Sequence, residues 1–138
     1  MSEPADMMIL HLPLKARWYD MQESGEKPEE YRESTPYWVK RLVWDEDYDE
    51  PVSDEYIEFI CSRPEGVENI FDAGWKPKPY THVLLRYGYT KRYFIHRIDS
   101  ITVGRGNPAW GAPEDRDVFI IKHHREPSPF VVGKDFRR

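Results

Sequence analysis

Between Gly25 and Arg32 the chain sets a lysine, a carboxylate and a guanidinium within six positions, as Lys27, Glu30 and Arg32. A lysine drawn into a cleft loses proton affinity and becomes a usable base, and a carboxylate beside it can orient water or handle a second proton transfer. The same side chains suit recognition without turnover. Lysine and arginine hold phosphate, and glutamate accepts hydrogen bonds from a base edge or a ribose. Lys, Glu and Arg are also the ordinary occupants of a solvated face, where exposed ion pairs contribute little. Spacing alone leaves these alternatives open.

Several elements must place these side chains. Residues 7–12 form a short apolar run that stops at Pro13, the pattern of a buried first strand. From Lys15 the period becomes helical, with Leu14, Trp18 and Met21 at i, i+4 and i+7 and Gly25 where a C-terminal cap is expected. If residues 29–33 form a strand, period two puts Glu30 and Arg32 on one face and Tyr31 on the other. Lys27, held at the strand entrance by Pro28, then leans over the same pocket. Thr35 and Pro36 predict the start of a second helix running to about Val43, with Trp38/Leu42 and Val39/Val43 as i,i+4 pairs. Lys40 and Arg41 in its last turn suit the negative end of the helix dipole.

Further along, Ser53 predicts the cap of a third helix with Asp54 and Glu55 in its first turn. Tyr56, Phe59, Ile60 and Arg63 make its stripe and Pro64 ends it. The stretch after it, with Gly66, Gly74, Pro77 and Pro79, reads as loop. Strand patterns follow, because Val83, Leu85 and Tyr87 alternate with His82, Leu84 and Arg86, and residues 92–103 and 118–123 are rich in β-branched and aromatic side chains. Residues 104–117 make a turn-rich connection and residues 128–138 a loosely held tail. Two early helices and four or five mainly antiparallel strands point to an α+β fold. No internal repeat is visible.

The run from Ile9 to Arg32 resembles the opening of an ASCH domain, the activating-signal-cointegrator homology family, whose hallmark is Gly-x-Lys-x-x-Glu-x-Arg. Gly25, Lys27, Glu30 and Arg32 match it at every position. Residues 36–42 (PYWVKRL) and 86–89 (RYGY) are similar to segments of compact ASCH proteins of bacteria and their phages. The resemblance implies a PUA-like fold, an open β-barrel of five or six mainly antiparallel strands with flanking helices. The length of 138 residues predicts one domain over 1–138, and the acidic stretch around 45–80 departs from the shorter family members as an insertion. A cleft lined by Lys15, Lys27, Glu30 and Arg32 would then bind RNA or a nucleotide.

Two hydrolytic activities are implied as alternatives. Some small bacterial relatives are acetylcytidine amidohydrolases, which would make Lys27 and Glu30 the catalytic pair. Those enzymes carry threonine where this chain has Glu30, so the motif points to recognition more than to that reaction. Ribonuclease activity is the other, with His11, Lys15 and Lys27 as candidates by residue type.

The net charge of -5 argues against a general polyanion binder but hides a segregation. Residues 45–72 carry eleven acids against Arg63 alone, whereas residues 76–105 carry seven Lys and Arg against Asp99 alone, so a local basic surface is compatible with the sign of the whole. Within it, Arg86, Tyr87, Tyr89 and Lys91 alternate bases and rings around Gly88, as a loop contacting nucleic acid does. Cross-strand packing at a hairpin explains the tyrosines as well. Trp110, between two turns, is a lid or a plug on a long loop. The acidic stretch offers a third role, an interaction module for a basic protein partner, or a solubilising surface.

A single cysteine, Cys61, excludes an intramolecular disulfide and a cysteine-based zinc cage. His123 and His124 are adjacent, so on a strand they face opposite sides, and His11, His82 and His96 show no ligand spacing. No metal and no cofactor are expected. Residues 1–6 lack the order of a signal peptide and no apolar run approaches a membrane span, so a cytoplasmic protein without a membrane is expected.

Overall fold

The computed structural model describes residues 8–45, 49–72 and 74–126. In chain order the elements are β1 (Ile9–Leu14), α1 (Ala16–Ser24), β2 (Glu29–Arg32), α2 (Pro36–Leu42), β3 (Val43–Asp45), β4 (Glu50–Pro51) and α3 (Asp54–Ser62). They continue with β5 (Lys76–Pro77), β6 (His82–Tyr87), β7 (Tyr93–Gly104) and β8 (Val118–His124). Among the described residues the fold is α+β, with three helices and a mixed five-stranded sheet in the order β1-β6-β7-β8-β2, a class consistent with an open barrel flanked by helices. A second sheet has the order β4-β3-β5. The expected tail at 128–138 lies outside the described residues. Among the described residues no helix is long and apolar enough to cross a membrane.

The chain divides into two units. The first comprises Met1–Glu29, Pro79–Ser100 and Lys122–Arg138, and the second Glu30–Lys78 and Ile101–Ile121.

In the first unit, β1 runs parallel to β6 and β6 runs antiparallel to β7, so one parallel pair enters a sheet expected to be mainly antiparallel. The first strand continues through Pro13, where the apolar run was expected to stop. As an edge strand β1 tolerates a residue that cannot donate to the ladder. Central β6 is buried on both faces from His82 to Leu85, which replaces the alternation expected there.

Helix α1 ends as expected at Gly25, whose φ of 92° is the left-handed conformation glycine adopts without a Cβ penalty. Its buried face is displaced from the predicted one: Tyr19 and Gln22 are buried, while Trp18 and Met21 are only half-buried. Tyr19 meets Tyr87 and Phe94 edge-on, at centroid distances of 5.2 and 5.0 Å. Gln22 holds a core position because its amide is satisfied there, a use of glutamine that apolar periodicity cannot register.

In the second unit, α2 begins where Thr35 Oγ1 accepts the Trp38 N–H with Pro36 in the first turn. It stops at Leu42, and Val43 already belongs to β3. Helix α3 starts at the predicted cap, with Ser53 Oγ accepting the Tyr56 N–H. Here too the face differs, since Ile57 and Ile60 are buried and Phe59 is exposed. Tyr56 turns to Trp75, whose indole N–H donates to its hydroxyl at 2.9 Å. The predicted loop beyond α3 contains a 3-10 turn at Ile70–Asp72 and the short strand β5.

The long connection before β8 is ordered by a 3-10 turn at Pro108–Trp110, with Asn107 Oδ1 accepting the Ala109 N–H; Trp110 is half-buried. Just before it, a Cβ on Gly106 would lie 2.6 Å from Ala112 Cβ and 2.7 Å from Tyr31 Cε1. Only glycine fits there without displacing a neighbour. Gly106→Ala is expected to destabilise the fold by about 1–3 kcal/mol, read as a lower melting temperature. An unchanged melting temperature would contradict this close approach.

Candidate functional site

The strand β2 does with the motif what period two requires. Glu30 and Arg32 share a face and Arg32 Nη2 lies 2.9 Å from Glu30 Oε2. Tyr31 faces away, its hydroxyl accepting the Asn107 N–H at 3.0 Å. Glu30 is 5% exposed, and the Arg32 side chain retains 19% exposure. The Arg32 guanidinium carbon sits 4.9 Å from the Trp38 ring centroid, within cation–π range. Carboxylate and indole thus fix the guanidinium from two sides.

The motif lysine belongs to the first unit. Gly25 turns the chain out of α1, and the Lys27 N–H closes the turn on the Met21 carbonyl at 2.9 Å. The Lys27 side chain is only 1% exposed, with Nζ 5.0 Å from the Trp18 centroid. Lys15 is exposed at the start of α1, where its carbonyl accepts the Trp18 and Tyr19 N–H groups. His11 is exposed on β1.

At the β6–β7 connection the expected residues divide. Tyr87 is committed to packing against Tyr19, with the Arg92 guanidinium 5.2 Å from its ring. Arg86 donates to the Thr90 carbonyl at 3.0 Å and lies over Tyr93, while Lys91 is exposed.

A group that the sequence did not single out lies within the first unit. Gln22, His96 and His123 are all buried. His123 Nε2 lies 2.8 Å from Gln22 Oε1, and His123 Nδ1 lies 2.9 Å from His96 Nδ1. With Gln22 Oε1 as acceptor, His123 carries its proton on Nε2, leaving Nδ1 to accept the His96 Nδ1–H. This pattern makes His123 neutral, and burial favours the neutral form of both rings. Burial first, then the charges of Arg125 and His124, lowers His96 to about 4. Burial first, then His96, Lys27 and His124, lowers His123 to about 3. The available signal was period two: His96 follows Phe94 and His123 follows Ile121 at inward strand positions.

The other histidines have different surroundings. His124, exposed on the opposite side of β8 from His123, contacts Asp99 at 2.8 Å, and His82 Nε2 lies 3.0 Å from Glu126. Among the described residues no three metal-ligating side chains gather. A cavity of about 350 Å³ in the second unit is lined by Asp72, Lys76, Thr102 and Asp117 among others, and by none of the motif residues.

Comparison with protein-family models, with curated proteins and with solved structures gives no match. The weight of a functional reading therefore rests on residues and geometry. The candidate residues are Lys27 against Trp18 in the first unit and, in the second, Glu30 and Arg32 with Trp38 against the arginine.

Proposed function

We propose that this chain is an RNA- or nucleotide-binding protein of the ASCH type, built on a PUA-like barrel, with the Gly25–Arg32 segment as its ligand-contacting motif. The observation that supports this reading is the Arg32 side chain, its guanidinium held by Glu30 at 2.9 Å and by the Trp38 face at 4.9 Å while the side chain keeps 19% exposure. A planar fork fixed in this way is suited to a phosphate, and the neighbouring indole to a base.

The test is binding of mononucleotides and of a panel of labelled RNAs to Lys27→Ala, Arg32→Ala and Arg32→Lys, each first checked for a native circular dichroism spectrum. Each change is expected to weaken binding about tenfold. Arg32→Lys is the critical variant, because it keeps the charge and removes the fork. Unaltered affinity in all three variants would end this reading.

A further inference from the structure

Tyr89 is 93% exposed, more than any other large hydrophobic residue among those described. Turn tips favour Gly, Asn, Asp and Ser, so a fully solvated aromatic ring there is not explained by turn chemistry. Nor is the turn slack. Gly88, at a φ of 59°, supplies the left-handed residue, and the Thr90 N–H and hydroxyl both donate to the Tyr87 carbonyl, at 3.1 and 2.7 Å. Arg92 N–H donates to Thr90 Oγ1 at 3.2 Å, Arg86 to the Thr90 carbonyl, and Gly88 N–H to the Leu14 carbonyl at 2.8 Å. The backbone that carries the ring is fixed before any partner arrives, which lowers the entropy cost of binding.

The charges around it have one dominant sign. Lys91 is exposed, Arg92 lies over Tyr19 and Tyr87, and Arg86 lies over Tyr93; Asp20, an acid 3.8 Å from Arg92, is itself well solvated. An accessible ring flanked by cations matches the stacking platform and backbone clamp used on single-stranded nucleic acid.

We propose that the β6–β7 turn is a contact site for single-stranded RNA, with Tyr89 stacking on an unpaired base and Lys91 and Arg92 meeting its phosphates. The inference rests on the nucleic-acid reading above and sharpens it, because it makes the ligand a strand rather than a mononucleotide. A duplex offers no free base face to the ring.

The experiment is fluorescence anisotropy with a labelled single-stranded RNA of about ten nucleotides, beside the same sequence as a duplex and a mononucleotide. Tyr89→Ala is expected to weaken binding of the strand about tenfold or more, Tyr89→Phe to preserve it, and neither to change mononucleotide affinity. Lys91→Ala is expected to reduce the salt dependence of strand binding by about one phosphate contact. Loss in Tyr89→Ala with none in the Lys27 and Arg32 variants would sustain the turn and sink the motif reading. The reverse pattern would sink the turn and leave the motif reading intact. Equal binding of the duplex, or equal competition by polyglutamate, would overturn the single-strand assignment. A wild-type protein that binds no strand would overturn it as well.

Discussion

Glu30→Ala is expected to lower the unfolding free energy by about 3–5 kcal/mol, because it strips a largely buried guanidinium of the carboxylate that faces it. The side chains of Glu30 and Arg32 are 7% and 19% exposed and meet at 2.9 Å, so water replaces the lost partner poorly. The two charges were desolvated together, and removing one leaves the cost of the other in place. The double change Glu30→Met with Arg32→Met deletes both charges and keeps apolar volume next to Trp38. It is expected to recover most of that loss. Urea unfolding of the two single variants and the double variant measures the coupling directly. A single-variant cost below about 1 kcal/mol, with no recovery in the double, would place the pair among ordinary surface ion pairs. The coupling bears on function as well, since the carboxylate that stabilises Arg32 is also what aims it. On the proposed nucleic-acid reading, Glu30→Ala is expected to lose RNA affinity even where it remains folded.

Acid is expected to destabilise the protein through the buried histidine pair. Free histidine titrates near 6.5, while His96 is lowered to about 4 and His123 to about 3. Well above pH 6.5 both rings are neutral in the folded and unfolded chain, so they add no pH dependence. As pH falls from 6.5 toward 4 the unfolded chain takes up protons that the folded one refuses, and stability drops. Below about pH 3 both states are protonated and the loss levels off. Because protonating either ring alters the other, the pair titrates as one coupled unit, and the loss belongs to the pair rather than to either ring. Urea midpoints at about pH 7 and about pH 4.5 should separate, and the double variant His96→Gln, His123→Gln should show a shallower acid slope. Imidazole NMR signals of the native protein give an independent check. Midpoints near 6.5 for these two rings would contradict the neutral pair.

Local signals in the sequence were legible where one residue's own geometry decides the outcome. The left-handed Gly25 ended α1, Thr35 and Ser53 capped α2 and α3, and the alternation of β2 put Glu30 beside Arg32 and Tyr31 opposite. Each depends on contacts only a few residues apart in the chain. The faces of α1 and α3 were read less well because burial is set by what lies opposite. Gln22 is a core residue since His123, 101 positions later, hydrogen-bonds it, and Phe59 is exposed while Ile57 is buried.

Sequence by itself thus determined the α+β class, the helix boundaries and the shared face of Glu30 and Arg32, all consequences of backbone preference and side-chain period. Tertiary structure decided that β1 lies parallel to β6, that Tyr87 is spent on packing while Tyr89 stands in solvent, and that three polar side chains close a neutral chain of hydrogen bonds within the first unit. The physical reason is the same in each case. Pairing, exposure and protonation state depend on neighbours that are distant in the chain, and those neighbours exist only once it has folded.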